Sequence, residues 1–459
     1  MDTERVPRHR LIAFAAPAFI TSLMYGPLVG ILPTIYAKYF GLDLAVIGTV
    51  LVVSRLFDAV TDPVIGYLSD HTKTRIGRRK PWMLVGYGLT LFALYALFVP
   101  PEKVSATYFM VCSILFYLFM TMAEIPYEAW QAELSYDYRQ RTRVVTYRAV
   151  SMNLGGMMFA ALPFLPIFST SEFTPEVFHV VAWGAIFLLP PAVLITVFLV
   201  PEGKQVAVRE SGFVSELFSS AIRNKPFLNL MATFILFGVT GGVFSAAGFM
   251  YFDSYLLMGD KYPIIMLASS VTGVAAMPFW LKMMNRFGRH RTWAVGSFAG
   301  ALAFPLILLF APNSQAYLVL VLVWVLITST FVSGMVAPMA MLGDVIDYDT
   351  LKTGASRTAQ YYALLTLAMK VTGAVGSGFG FFILDFFHYD ATATTHDATS
   401  VFGIKLAVVW IPVIFLFIAA VTIWFFPIDE RRQRVIKRRI ETRSERAQRE
   451  ETYLAETCR

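Results

Sequence analysis

Three charged side chains, Arg55, Asp58 and Asp62, lie in a stretch that is otherwise apolar enough to cross a membrane. On a helix they occupy positions i, i+3 and i+7, so both carboxylates share one face with the guanidinium beside them. A charge at that depth costs roughly 2.5–3.5 kcal/mol, so it is seldom kept without a partner or a task. One arginine does not neutralise two acids, which favours a functional task for these residues. The alternative is an Arg–Asp pair that only locks two helices together.

Two further charged residues, Glu124 and Lys370, lie in other apolar segments. Glu124 adds a third acid to the pair on the earlier segment. Lys370 is followed by small residues that let helices approach closely, so its ammonium would reach a central cavity (Gly373, Gly376, Gly378 and Gly380). Two hypotheses stay open. Lys370 handles a substrate, or it counterbalances Asp58 or Asp62 across the molecule as a charge lock that opens when a cation binds.

The composition is that of a polytopic membrane protein, because 57% of the 459 residues are hydrophobic and only 15% are charged. Apolar runs of roughly 20 residues predict twelve membrane-spanning helices. They lie near 11–36, 44–69, 82–99, 105–131, 144–168, 177–200, 227–252, 263–285, 292–310, 315–342, 358–386 and 401–426. The prolines and glycines of the first span predict a bent helix that lines a cavity, and the alternative is that they only accommodate the tilt of the helix.

The basic residues predict how the chain is oriented. Alternate loops are rich in Lys and Arg, and the tail alone has ten, whereas the other loops hold only Lys38, Lys103 and Lys261. This asymmetry places both termini in the cytoplasm. The net charge of +7 therefore reports orientation and not a nucleic-acid partner. The tail itself is predicted to be a solvated or membrane-skimming helix.

A glycine-rich basic string follows the second predicted span and occurs again in the second half of the chain. The first copy is Gly66-x-x-Ser69-Asp70-x-Thr72-x-x-Arg75-x-Gly77-Arg78-Arg79-Lys80-Pro81, and the second is residues 285–291. Gly77 and Gly288 are 211 positions apart, as are Glu133 and Asp344, which both begin an acidic segment. The repeat predicts two six-helix halves, 1–200 and 227–426, joined by a cytoplasmic loop, 201–226, and followed by a tail, 427–459. The string is similar to the loop signature of the major facilitator superfamily.

Four motifs together resemble the glycoside-pentoside-hexuronide:cation symporter family of that superfamily, over nearly the whole chain. They are Asp58-x-x-x-Asp62-Pro63-x-x-Gly66, Glu124-Ile125-Pro126-Tyr127, Asp344-x-x-Asp347-Tyr348 and Lys370. The resemblance implies an all-α membrane protein with twelve transmembrane helices in the major facilitator fold. It also implies a coupling-cation site made of Asp58, Thr61, Asp62 and Glu124. Oxygen ligands suit sodium at Asp58 and Asp62, and crowded carboxylates equally suit a proton.

The same resemblance implies a substrate site made of Arg148, Lys370, Tyr127 and Glu128. Arg148 has an alternative role as a positive-inside anchor, because it lies near a predicted inner end. Two features depart from the family pattern. The first span has no carboxylate between residues 13 and 22, and the aromatic positions of the family's sugar pocket fall on Glu128 and Met335. The cation machinery is thus retained in the sequence, whereas the sugar pocket is altered.

A further group of charged residues near the predicted inner ends is assigned to gating or structure: Arg55, Asp70, Arg75, Arg78, Arg79, Asp344 and Asp347. Asp70 is expected to pair with the basic turn that follows it or to cap a neighbouring helix. Asp344 and Asp347 are expected to pair with the basic segment 286–291 or with the first-half basic loop. A solvated acidic turn is the alternative for these two.

We therefore expect a cation-coupled secondary symporter that imports a polar solute, namely a sugar, glycoside or sugar acid, by alternating access. The alternative is a sodium-dependent carrier of a lysolipid or another amphiphile. An enzyme is not expected, because no metal-spaced histidine cluster and no nucleophile motif occurs. No cofactor is expected beyond the coupling ion, sodium or a proton. The partners are a small-molecule substrate and membrane lipid, and we expect a monomer in the plasma membrane (the inner membrane of a bacterium).

Overall fold

The computed structural model describes residues 6–28, 30–134, 138–202, 224–354, 357–393, 395–440 and 442. Every regular element within these ranges is helical. The first half contains α1 Arg8–Tyr25, α2 Ile31–Phe40, α3 Leu44–His71, α4 Lys80–Phe98, α5 Ala106–Glu133, α6 Tyr138–Ala161 and α7 Pro175–Leu199. The second half contains α8 Lys225–Met250, α9 Tyr262–Ala275, α10 Met277–Phe287, α11 Arg289–Ala303, α12 Tyr317–Thr353, α13 Thr358–Phe386, α14 Ala398–Lys405 and α15 Ile411–Trp424.

Ten helical segments of the described chain are long and apolar enough to span a membrane, and the bent pair of α9 and α10 makes an eleventh. The remaining helix, α6, has 24 residues but begins with a basic segment, which lowers its hydropathy. Counting α6, the described helices agree with the twelve predicted spans, and the predicted all-α architecture is confirmed. The helices α1 and α2 form the first span, and a 3-10 turn at Gly26–Leu28 separates them. The first span is therefore interrupted within the segment where its prolines and glycines lie.

Two predicted spans differ from the structure. The span predicted near 263–285 is not straight, because α9 and α10 are bent by 40° about Ala276. Pro278 lies at the start of α10 and cannot donate a backbone hydrogen bond to the turn before it. The span predicted near 315–342 continues as α12 to Thr353. The acidic segment 344–349 is therefore helical and not a loop, because its carboxylates have partners on neighbouring elements.

Glycines let the two halves pack closely around α13. A Cβ on Gly48 of α3 would lie 3.0 Å from the carbonyl oxygen of Gly378 on α13. Within the second half, a Cβ on Gly242 of α8 would lie 2.8 Å from Cα of Gly376. These contacts bring the backbones together where a larger side chain would separate them. The helix that carries Lys370 is thereby held against both halves.

The two halves are sealed at the end of the bundle where α2 ends, which we call the outer end. Lys38 donates to Asp253 across the halves, with Nζ 2.7 Å from Oδ2, and the Asp253 carboxylate is buried. The ring of Phe173 lies 6.0 Å from that of Phe249 and 6.3 Å from that of Tyr262. Burial raises the pKa of the loop residue Glu172, and the nearby Asp253 carboxylate raises it further while Lys38 opposes the shift. These contacts close the outer end.

The opposite, inner end is held together by ion pairs within each half. Arg79 pairs with Asp70 and, at 2.9 Å, with Glu133, which confirms the expected pairing of Asp70 with its basic turn. Arg289 donates to Asp344 at 2.8 Å, which confirms the expected partner of that acid. Because these pairs join residues of one half, they stiffen each half without tying the two together. Arg78 also pairs with Glu133 at 2.8 Å, and Arg75 is exposed.

Part of the tail packs against the second half, so the prediction of a solvated or membrane-skimming helix was wrong for the buried positions within 428–440, whereas most side chains of that range are exposed. Ile428 and Ile436 are buried there. Gln433 donates to Asp347 at 2.7 Å, so that acid has a tail partner rather than the expected arginine. The two buried apolar positions, 428 and 436, are eight residues apart among charged residues, which is too sparse to indicate a packed face in the sequence. The tail beyond 442 lies outside the described residues, as does most of the predicted loop 201–226.

Candidate functional site

Two adjoining cavities lie between the halves, and four residues line both: Tyr25, Gly26, Tyr117 and Lys370. The first, which we call the polar lobe, has a volume of about 290 Å³ and lies against the first half. The second, the apolar lobe, has a volume of about 550 Å³ and lies mainly against the second half. The break between α1 and α2 positions Tyr25 and Gly26 at the junction. The interrupted first span therefore does line the cavity.

Lys370 joins the two halves at this junction. Its ammonium is ion-paired with Asp62 and lies 3.9 Å from Asp58 Oδ2. Within the described part of the chain, the other oxygen of the Asp62 carboxylate, Oδ1, is buried and has no hydrogen-bond partner. A buried carboxylate oxygen without a partner is unfavourable, and a cation would satisfy it. This ion pair between the halves is the closed form that the charge-lock hypothesis for Lys370 requires.

Arg55 is the second cation beside the two α3 acids. Its guanidinium lies 3.6 Å from Asp58 Oδ2, donates to the hydroxyl of Tyr25 and stacks 4.1 Å from the ring centre of Tyr117. Such cation–π contacts stabilise a partly desolvated guanidinium. Together Arg55 and Lys370 balance the charges of Asp58 and Asp62. The excess negative charge predicted on α3 is therefore neutralised in this conformation by Lys370.

The hydroxyl group on the Asp58 carboxylate comes from Thr121 of α5 and not from Thr61. Thr121 donates to Asp58 Oδ1, whereas the Thr61 hydroxyl donates to the backbone carbonyl of Asp58 at 3.2 Å. Intrahelical bonding of a threonine hydroxyl to the preceding turn is common and leaves it unavailable to the neighbouring carboxylate. Thr121 was missed by the sequence analysis. The sequence feature that could have identified Thr121 is its position on α5, three residues before Glu124 and on the same helical face.

Arg148 and Glu124 form a second charged cluster in the polar lobe. Arg148 donates to Glu124 at 2.7 Å, and the hydroxyl of Tyr87 donates to the other oxygen of the same carboxylate at 2.8 Å. Tyr87 is fully buried on α4, so it holds Glu124 in place from behind. The Arg148 guanidinium thus faces into the cavity and is more than an anchor at a helix end. Glu124 lines the same lobe as Asp58, whereas Thr61 and Asp62 lie outside its lining.

Glu128 and Tyr127 differ in their access to the cavity. The Glu128 side chain is 58% exposed and lies 3.3 Å from Arg148, so it faces the lobe. Tyr127 is completely buried, and its hydroxyl donates to the carbonyl of Phe14. The Arg148 guanidinium stacks 4.8 Å above the Tyr127 ring. The prediction that Tyr127 binds substrate directly was therefore wrong for this conformation, because Tyr127 supports Arg148 from beneath.

The apolar lobe has a flexible hydrophobic wall. Met335, Met339 and Met369 line it and are all exposed, and Phe234 and Phe237 line it from α8. Methionine side chains adapt to irregular apolar shapes. The exposed wall and the closed outer end together describe a cavity that opens toward the inner end. Met335 therefore lines the cavity, as expected. It offers the solute an apolar surface but no aromatic ring.

The fold and this two-lobed charged cavity define a membrane transporter of the major facilitator superfamily. A family model described as "MFS/sugar transport protein" matches residues 13–430, so the chain belongs to that family and is a transporter, not an enzyme. The glucuronide carrier protein homolog of Escherichia coli (strain K12) is 25% identical over 421 residues, which cover 89% of this chain and 90% of the relative. The sodium-dependent lysophosphatidylcholine symporter 1 of Mus musculus is 23% identical over 438 residues, with 87% and 81% covered.

A solved structure has the same fold. The crystal structure of the nucleoside transporter NupG superposes with a TM-score of 0.64 at 13% identity, covering 91% of this chain and 98% of that chain. The likeness supports the major facilitator fold. The apolar helices described above and the family match together establish an integral membrane protein. The named symporters among the relatives support cation-coupled transport, and both a glucuronide carrier and a lysolipid carrier are represented.

Proposed function

We propose that this protein is a cation-coupled symporter that imports a sugar, glycoside or sugar acid through alternating access. The observation that carries the proposal is the cross-half pair of Lys370 with Asp62, next to the unpartnered Asp62 Oδ1. A sodium ion or a proton at Asp58 and Asp62 competes with the Lys370 ammonium for the same carboxylates. Cation binding therefore releases Lys370 from Asp62. The released ammonium is then available to a solute in the cavity that it lines.

This competition links the two ligands. Without the cation, the Lys370 ammonium stays paired with Asp62, so it cannot donate a hydrogen bond to the solute. Without the solute, the released ammonium lacks a hydrogen-bond acceptor in the cavity and favours return to Asp62. Each ligand therefore tightens binding of the other, which is the thermodynamic requirement for coupled transport. Arg148, held by Glu124 and supported by Tyr127, supplies fixed donors for the solute's oxygens in the polar lobe.

The direction and location follow from the charge pattern. The basic segments between helices lie on the side of both termini, so we propose cytoplasmic termini and a plasma membrane location. The closed outer end and the cavity that opens inward then correspond to the inward-facing state. Release of Lys38 from Asp253 is required to open the outer end. We propose that one chain forms the complete pathway, because both lobes lie within it.

The apolar lobe favours a second candidate, a sodium-dependent carrier of a lysolipid or another amphiphile. About 550 Å³ of mostly apolar cavity, next to a charged lobe, fits a molecule with a polar head and an apolar tail. The sugar hypothesis uses the same lobe for an apolar aglycone. The two candidates differ in the length of the apolar group, so transport measurements separate them.

An uptake panel tests the proposal. Purified protein in proteoliposomes receives sugars, 4-nitrophenyl glycosides, uronic acids and lysophosphatidylcholine, each with an imposed sodium or proton gradient. We expect accumulation of at least one sugar or glycoside above its external concentration, driven by one of the two gradients. Accumulation of the lysolipid alone would establish the second candidate. Uptake that is indifferent to both gradients would contradict cation coupling.

A further inference from the structure

The charged side chains in the cavity fall into two clusters with different net charge. In the first, Arg55 and Lys370 balance Asp58 and Asp62. In the second, the single guanidinium of Arg148 faces two carboxylates, Glu124 and Glu128. Among the described residues of the two clusters, three positive charges thus face four negative ones. The excess negative charge lies in the Arg148 cluster.

The two acids of this cluster are not equivalent. Glu124 accepts from Arg148 at 2.7 Å and from the buried Tyr87 at 2.8 Å, so its carboxylate is fixed by both partners. Glu128 lies 3.3 Å from both terminal nitrogens of Arg148, and its side chain is 58% exposed compared with 20% for Glu124. Glu128 is therefore the carboxylate that faces an incoming solute. Its removal would leave the Glu124–Arg148–Tyr87 contacts in place.

We propose that Glu128 selects uncharged solutes and excludes carboxylate-bearing ones from the polar lobe. The inference rests on the proposed symport of a sugar, glycoside or sugar acid and narrows it to an uncharged glycoside. Glu128 occupies the exposed side of the Arg148 guanidinium, which a solute carboxylate would otherwise bind as a charge-assisted pair. Such a carboxylate would instead lie against the Glu128 carboxylate, and placing two like charges side by side disfavours binding of the anionic solute.

The charge balance with ligands leads to the same conclusion. One monovalent cation brings the two clusters from one excess negative charge to neutrality, so the cavity loaded with a neutral solute carries no net charge. An anionic solute would restore the excess negative charge in a low-dielectric site, which is costly to reorient through the membrane. Glu128 therefore also sets the transport stoichiometry at one cation for each neutral solute. Without Glu128, the cation-loaded cavity would carry one positive charge and would accept an anion.

The test compares two solutes that differ only in charge, 4-nitrophenyl glucoside and 4-nitrophenyl glucuronide. Uptake into proteoliposomes is measured for the wild type, for Glu128→Gln and for a control, Glu102→Gln, whose carboxylate is exposed in the loop between α4 and α5. We expect the wild type and the control to prefer the glucoside in kcat/KM by about tenfold or more. The Glu128→Gln variant should shift the ratio toward the glucuronide by at least a similar factor, mainly through KM. An unchanged ratio in Glu128→Gln would overturn the proposal, as would a wild-type preference for the glucuronide.

A solute-free measurement separates this inference from the proposed function. Phenylglyoxal modifies accessible arginines, and peptide mass spectrometry reports the rate at Arg148. Because Glu128 covers the exposed side of the guanidinium, Glu128→Gln should increase that rate severalfold, while Glu102→Gln should not. Equal rates would overturn the role of Glu128 even if no glycoside were transported. Faster modification of Arg148, combined with no uptake of either glycoside by any variant, would retain the shielding geometry and refute the sugar hypothesis.

Discussion

An Asp62→Asn carrier should lose the ability to concentrate its solute, with the ratio of internal to external solute falling to about one, while it continues to exchange solute across the membrane. Asn keeps the size of the side chain and removes the charge for which Lys370 and the cation compete. The ammonium then keeps only its more distant partner Asp58, and the cation no longer controls its release from residue 62. We expect the sodium or pH dependence of solute affinity to disappear together with accumulation. Asp58→Asn should behave alike, because Asp58 lies 3.9 Å from the same ammonium.

Asp43→Asn is the matched control for this experiment. Asp43 lies on the same helix, where it caps the N-terminus of α3 by accepting from the backbone amides of Ala45 and Val46. Asn is an equally good N-cap, so folding and transport should remain close to the wild type. If Asp62→Asn kept full gradient-driven accumulation with unchanged ion dependence, the acids of α3 would only be structural partners of Arg55 and Lys370. Accumulation and solute exchange should be measured in the same proteoliposome preparation.

Replacement of Arg148 by Met should lower uptake by about 30-fold or more and should also destabilise the protein. The substitution removes the donors that face the solute and leaves the cavity acids Glu124 and Glu128 without the guanidinium that pairs with them. Breaking a buried ion pair from one side costs about 3–5 kcal/mol. The expected results are a lower apparent melting temperature in detergent and loss of uptake. These two effects have different causes, so they can be separated.

The double variant Glu124→Gln with Arg148→Met separates them. Removing the stranded charge should restore most of the thermal stability, because a neutral amide still accepts from Tyr87. Uptake should stay lost, since no guanidinium faces the cavity. A double variant that regained both stability and transport would show that Arg148 has only a structural role. The wild type, both single variants and the double variant form a complete cycle, so the interaction between the two side chains is measured directly.

The sequence predicted the members of the site better than their contacts. Asp58, Asp62, Glu124, Arg148 and Lys370 stand out because charge is rare inside spans, and that physical cost is independent of how helices pack. Contacts between helices depend on their rotation and axial shift, which the sequence of one helix does not specify. The hydroxyl that donates to the Asp58 carboxylate therefore comes from Thr121 of another helix, which the sequence analysis did not include in the site.

Local signals predicted helix ends well where they act through the backbone. The prolines and glycines of the first span predicted its break, which the structure has at Gly26–Leu28. The same reasoning applied to Pro278 would have predicted the bend about Ala276, which was missed. Because charged residues usually end a span, the sequence predicts that the span beginning near residue 315 stops near residue 342 and that an acidic loop follows. The acidic segment stays helical because Arg289 pairs with Asp344 and Gln433 donates to Asp347. Both contacts join residues that are far apart in the sequence, so the sequence does not indicate them.

The central claim is that cation and solute share control of one ammonium group, Lys370. The measurement that tests it most directly is the affinity of the purified wild type for the transported glycoside, with and without saturating sodium and at low and high pH. One of the two cations should tighten glycoside binding by about fivefold or more, and the glycoside should tighten binding of that cation by the same factor. Glycoside affinity that is unchanged by sodium and by pH would contradict the account.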